Sequence, residues 1–435
     1  MKRTLALAAA AACTLPVLTG CWGSNSPNDS SVVVLGDSYA SGEGTSDASG
    51  NHWIQGTGDG AFADGGTTTT KDNCHRSKNS YAVTVFKAAG FFACSGAVIG
   101  QVYNLTTADK HPWLNGTSFR SDGNLTQVDR LSGNEAKIIV SAGGNDAGFA
   151  TILKACTAVG FFVTGPIIPF VGDHADPGVC AAKIKQAIKG GVSFDGFAVI
   201  KGHLIGMYQA ILDHEKGNSH AHIYAVGYPL LFPPKGDRGC NGIDPVDQVS
   251  LNDATLKLDQ IILNATAAFP ANQVTFVDTS QVMKDHWVCP HLNGDGNWIN
   301  DLQFKADPNQ IPLPPIPGAH VALGPDNCSP DNVQSWKKDW KDLSIKAGPV
   351  TITLPELRFG ICSQSYHPTE RGSLELGNKI KECIDSPSTC HPGMTPQATT
   401  TTRDTSACQA NMTQSPGPDG KLPTGSYSPS VSGMT

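Results

Sequence analysis

The chain has 435 residues and a formal net charge of −7 at neutral pH, with 16% of its residues charged. That mildly acidic balance argues against a nucleic-acid partner, and beyond the N-terminus no apolar stretch is both long and uninterrupted enough for a transmembrane helix. In an exported chain its 13 cysteines point to disulfides rather than metal, since no two of them have the close spacing of a zinc knuckle.

Lys2-Arg3 followed by an apolar run from Leu5 to Leu18 has the layout of a secretory signal, and the run is too short to span a bilayer as a mature helix. Leu18-Thr19-Gly20-Cys21 closes it and resembles the bacterial lipobox, in which the signal is cut before the cysteine and the new terminus is acylated. Residues 1–20 are therefore expected to be a lipoprotein signal peptide. Lipidation at Cys21 would anchor the protein to the extracytoplasmic face of the cell membrane. The alternative is an ordinary signal in which Cys21 is incidental and the protein is secreted. Residues 21–30, with Gly, Ser, Asn and Pro, have the composition of a tether.

Val32-Val33-Val34-Leu35 reads as a buried parallel strand, stopped abruptly by Gly36-Asp37-Ser38. Ser38 then sits at the C-terminal end of a strand, where open α/β sheets bind ligands. An N-cap for the next helix would explain the same serine. Residues from Gly44 to Asp72 are dominated by Gly, Asp, Ser and Thr, with His52-Trp53-Ile54 as the apolar spot, and read as a long loop beside the crevice. A helix is expected over 80–89, then a strand at Phe91-Phe92-Ala93 and a turn at Gly96. Lys137 to Ala142 is another apolar strand, ending in Gly143-Gly144-Asn145-Asp146, and Asn145 is a natural oxyanion donor.

Ala158 to Val171 carries two apolar clusters broken by Gly and Pro, suited either to burial or to an acyl chain or lipid surface. Helices over 199–215 and 250–269 alternate with strands at 222–229 and 274–278, the rhythm of a parallel sheet. Asn293, Asp295 and Asn297 alternate like a calcium loop, but Trp298 and Phe304 occupy the positions that need glycine and glutamate. No metal and no cofactor is expected. His367-Pro368 fixes a loop before a helix opened by Thr369-Glu370, and residues 386–435 turn to Thr, Ser, Pro and Gly and read as a disordered tail.

Gly36-Asp37-Ser38-Tyr39, Gly143-Gly144-Asn145-Asp146 and His367-Pro368, in this order, resemble the motif blocks of the SGNH, or GDSL, hydrolases. The stretches around Cys74 and Cys94-Ser95-Gly96-Ala97 resemble the secreted actinobacterial esterases and lipases of that family. The resemblance implies one three-layer α/β/α hydrolase domain over 31–385. It would have a mostly parallel, flavodoxin-like central sheet, long loop insertions and disulfide staples. The staples implied are Cys74–Cys94, Cys156–Cys180 and Cys240–Cys289. Of the five later cysteines, Cys328 is expected to pair with Cys362 and Cys383 with Cys390, which leaves Cys408 in the tail.

The chemistry implied is acyl transfer, which needs a nucleophile, a base and oxyanion donors. Ser38 is the expected nucleophile and His367 the base, with the Ser38 and Gly96 N–H groups and the Asn145 side chain as the oxyanion hole. Many relatives place an aspartate three residues before the histidine; here that position is Gln364. The Gln364 main-chain carbonyl is therefore expected to orient His367 in a Ser-His dyad. The expected activity is that of a monomeric esterase or lipase on small-molecule, lipid or glycan esters. A carbohydrate acetyl esterase and an inactive binding lipoprotein are the alternatives.

Overall fold

The computed structural model describes residues 28–45, 52–54, 57, 74–103, 125–149, 152–153, 156, 178–189, 196–237, 240, 243–289, 296–302, 304–306, 344–347, 350–353, 359–361 and 363–391. The signal, Cys21, the 158–171 segment, Asn293, Asp295, Cys328, Cys362 and Cys408 lie outside them.

Five strands build the main sheet: β1 (Asn28–Gly36), β2 (Gly90–Phe91), β3 (Glu135–Ser141), β4 (His222–Val226) and β5 (Val274–Val277). All neighbours are parallel, in the order β2-β1-β3-β4-β5. This is the flavodoxin-like order, whose direction of winding reverses between β1 and β3. A parallel sheet is covered on both faces, so its strands are apolar throughout rather than alternating. Val32 and Val34 join one buried cluster, with Ile139, Tyr224 and Val277. Val33 and Leu35 join the other, with Ile138, Val140, Ile223 and Phe276.

Ser38–Ser41 forms α1, Tyr81–Thr84 α2, Ile99–Val102 α3, Gly178–Lys189 α4, Phe197–His214 α5, Pro245–Thr266 α6 and Glu370–Asp385 α7. Helix α5 covers one face through Ile200, Leu204, Met207 and Ile211, and α7 covers the other through Leu376 and Ile380. Helix α6 serves both, with Leu251 on one side and Leu258 and Ile262 on the other. The three-layer arrangement expected from the sequence is the one observed. The helix expected over 80–89 closes after one turn, because Lys87 adopts a left-handed φ of 47° and ends it.

Four disulfides staple the described chain: Cys74–Cys94, Cys156–Cys180, Cys240–Cys289 and Cys383–Cys390. The last corrects the expected boundary at Asp385. Cys390 is fully buried in the core, and its backbone carbonyl accepts from Asp278 N at 2.7 Å, so the packed chain continues through the turn at Pro387–Thr389. Smaller antiparallel pairs join β6 (Phe304–Ala306) to β9 (Phe359–Ile361) and β7 (Ser344–Ala347) to β8 (Val350–Thr353).

Candidate active site

The site lies at the C-terminal ends of β1 and β3, at the switch point of the sheet. Gly36 ends β1 with a φ of 128°, and a Cβ there would stand 2.2 Å from the Ser141 carbonyl oxygen, so only glycine lets the turn press against β3. The Gln127 side-chain amide clamps this residue, donating to the Gly36 carbonyl at 2.8 Å and accepting from its N–H at 2.7 Å. Asp37, not Ser38, caps α1: its carboxylate accepts from Tyr39 N at 3.1 Å. Capping is thus done by the neighbour, and the serine hydroxyl is left for another partner.

That partner is His367. Its Nε2 lies 2.8 Å from Ser38 Oγ, and its Nδ1 lies 3.1 Å from the Ser365 carbonyl. A carbonyl can only accept, so Nδ1 carries the proton and Nε2 is the free base facing the hydroxyl. This corrects the expected role of Gln364, whose carbonyl instead accepts from the His367 backbone N–H at 3.1 Å. The difference follows from Tyr366, which takes a left-handed φ of 63° and folds the 364–367 turn so that Ser365 O faces the ring. Such a conformation is costly for a tyrosine, by about 1 kcal/mol, and must be held from outside. Tyr39 Oη donates to the Tyr366 carbonyl at 2.9 Å, and the Tyr366 N–H donates to Asn300 O at 3.0 Å. Asn300 also donates through its side chain to Gly44 O at 2.7 Å and to His367 O at 3.0 Å, joining the histidine loop to the segment that follows α1.

Asn145 is half-buried just beyond β3, and its Nδ2 donates to the Ala97 carbonyl at 2.9 Å. The structure thereby brings Asn145 against the turn containing Gly96, which has a φ of 76°. This turn is in turn fastened to the end of β1, because Cys94 N donates to Gly36 O at 2.9 Å.

Three further groups complete the surroundings. Tyr228, on the loop after β4, donates its hydroxyl to Asp37 Oδ2 at 2.5 Å and accepts from the Gly144 N–H at 2.9 Å. Burial pushes Asp37 up to about 6, against the opposing pull of the Tyr228 and Tyr39 donors. Glu43 is fully buried and takes the Nδ1 of His75 at 2.7 Å. Burial acts to raise Glu43, but His75, His367 and Ser363 outweigh it and hold the carboxyl at about 2. For His367 the packed surroundings lower the imidazole, opposed by the charge of Glu43 and the carbonyls of Ser365 and Ser363, and the net direction is down. The ring is therefore neutral near pH 7, the state a base requires.

Sequence reading did not single out Tyr228, Glu43 or His75. Tyr228 had a usable signal in Gly227-Tyr228-Pro229, a large polar ring at the same end of the next strand as the motif blocks. Glu43 had only its position between two glycines just past the nucleophile turn.

No family model matches the chain. Its sequence is similar to Lipase 1 of Streptomyces coelicolor, 27% identical over 273 residues that cover 62% of this chain and 77% of that protein. Among solved structures, a phospholipase A1 from Streptomyces albidoflavus covers 80% of this chain and 98% of its own, with a TM-score of 0.45 and 19% identity. An extracellular lipase from Streptomyces rimosus covers 80% and 99%, with a TM-score of 0.43 and 19% identity. The Streptomyces coelicolor protein is named a lipase, in keeping with the resemblance to secreted actinobacterial esterases and lipases.

Proposed function

We propose that this chain is a carboxylic ester hydrolase of the SGNH type that works through an acyl-enzyme on Ser38. The observation that carries this reading is the relay Ser38 Oγ to His367 Nε2 at 2.8 Å and His367 Nδ1 to Ser365 O at 3.1 Å. Ser38 Oγ attacks the ester carbonyl while His367 Nε2 takes its proton. The negative oxygen so formed is met by the Ser38 and Gly96 N–H groups and the Asn145 amide. The imidazolium then protonates the leaving alcohol, the C–O bond breaks, and the acyl group stays on Ser38. Water, deprotonated by the same nitrogen, attacks the acyl carbon, and the proton returns to Ser38 as the acid departs. A neutral carbonyl at Nδ1 fixes the tautomer as a carboxylate would, but lends no charge to the imidazolium.

The name of the Streptomyces coelicolor relative favours a lipase over a glycan esterase for the substrate class. Four disulfides fit an exported protein, and among the described residues no helix is long and apolar enough to cross a membrane. Anchoring through Cys21 belongs to the same proposal; Cys21→Ala should release the protein from the membrane fraction, and undiminished membrane association would count against it. The test of function is a panel of chromogenic esters of increasing acyl length, run beside an acetylated glycan. Turnover of the acyl esters that falls at least about a thousandfold in both Ser38→Ala and His367→Ala supports the proposal. Turnover retained in Ser38→Ala, or none on any ester, overturns it.

A further inference from the structure

The relay above ends on a neutral carbonyl, yet the residue before Gly44, which packs against His367, is a buried carboxylate whose charge acts on the same imidazole. We propose that Glu43 supplies the negative charge missing from position 364, acting on His367 across the turn that carries Ser363 and Ser365, with His75 holding the carboxylate in place. This rests on the assignment of His367 as the base.

Four observations support it. First, Glu43 lies on the segment packed directly against the histidine loop. A Cβ on the next residue, Gly44, would stand 2.7 Å from His367 Cβ and 2.4 Å from the Pro368 carbonyl oxygen. Second, a fully buried carboxylate is expensive unless it is paired, and this one is bonded to His75 at 2.7 Å. Third, the pair is sealed from water. Trp53 stacks on His75 with ring centroids 4.7 Å apart, and the Trp53 segment is pinned by Ile54 N to Arg76 O and Lys78 N to His52 O, both 2.8 Å. Coulomb interactions in so dry a place are felt far more strongly than at the surface. Fourth, Glu43 raises His367 and is itself lowered by it, so the coupling acts on both partners.

The other groups around His367 do not take this part. Ser38 and Tyr39 face it uncharged, and the Ser363 and Ser365 carbonyls are neutral. On α7, Glu370 turns to Asn79, and Arg371 turns to Glu375 and to the Trp298 ring. His75 faces Glu43 rather than the imidazole. Glu43 is thus a positioning residue, working through His367 without touching substrate. Its charge favours the imidazolium that forms as Ser38 is deprotonated, as the aspartate of a triad does from the adjacent position.

The test reads His367 directly, by NMR titration of the full-length, histidine-labelled protein in a Ser38→Ala background, with His367→Gln to assign the signal. Glu43→Gln should lower the His367 midpoint by about one pH unit, and Glu43→Asp, which keeps the charge, should restore it toward the starting value. With Ser38 intact, the acidic limb of kcat/KM should move down by the same amount in Glu43→Gln, and the plateau should fall about tenfold. A purely structural role would reduce activity or stability without moving the limb. If Glu43→Gln does not fold, the paired change Glu43→Leu with His75→Leu replaces the ion pair by apolar side chains and is read by the same titration. An unmoved His367 midpoint in the folded variant overturns the inference. The titration needs no turnover, so absence of ester hydrolysis would sink the proposed function and still leave this question decided.

Discussion

Tyr228→Phe removes one oxygen that joins two of the motif blocks. Its hydroxyl donates to Asp37 Oδ2 at 2.5 Å beside Ser38 and accepts from Gly144 N at 2.9 Å beside Asn145. Glycine at 144 leaves room for this approach, since a Cβ there would crowd Tyr228 Cζ at 3.0 Å. A hydrogen bond to a charged group contributes about 1.5–3 kcal/mol, and an orphaned buried N–H costs about 1–3 kcal/mol, so the loss should be roughly 3 kcal/mol. For a chain of 435 residues that corresponds to a melting temperature lower by about 3–4 °C. The loss should also depend on pH. Asp37, raised to about 6 in the folded protein, is ionised above that pH and protonated below it, and the Tyr228 donor favours the ionised form. The gap between Tyr228→Phe and the parent should therefore widen as pH rises through about 6. Thermal melts at pH 5 and pH 8, with kcat on a chromogenic ester, provide the assay. Equal melting temperatures at both pH values, with kcat unchanged, would refute the bridging role.

Asn145→Ala should raise the barrier by about 2.7–4 kcal/mol, read as a fall in kcat with little change in KM, because an oxyanion donor acts mainly in the transition state. Replacing Cys240 and Cys289 with alanine opens a loop of 49 residues and should cost about 4 kcal/mol in denaturant unfolding; a loss under about 1 kcal/mol would show that the bridge adds little. Glu215 is raised to about 8, by burial first and then by Glu135 beside it, from an unfolded value of 4.5. Its contribution is fully present below pH 4.5 and is lost as pH rises through about 8. Melting temperatures should decline from pH 6 to 9, and Glu215→Gln should level that decline; an unaltered slope would argue against Glu215 as its source.

The strands of the main sheet were legible because β1, β3, β4 and β5 are buried on both faces and read as unbroken apolar runs. The chemistry-bearing residues were legible where they close those runs. What escaped depended on distant chain segments meeting. Whether the Gln364 or the Ser365 carbonyl faces the ring turns on the left-handed Tyr366, and nothing in a tyrosine announces that conformation; it is held by Tyr39 and Asn300, far away in sequence. Glu43 reads as a solvated charge in a glycine-rich stretch, and is buried only once the 52–54 and 74–77 segments close over it. Cys390 was expected both to pair with Cys383 and to lie in a disordered tail that begins at Ser386. The bridge prevails, since ordering so short a loop costs little once its cysteine is buried.

The central claim is that the acyl group passes through Ser38, and trapping it on the protein tests that most directly. Incubation with an activated phosphonate or a slowly deacylating ester, followed by peptide mass spectrometry, should place one adduct on the peptide containing Ser38. His367→Ala should slow its formation at least about a thousandfold, as expected for residues acting as one unit. An adduct on another residue, or ester turnover by Ser38→Ala at the parent rate, would contradict the account.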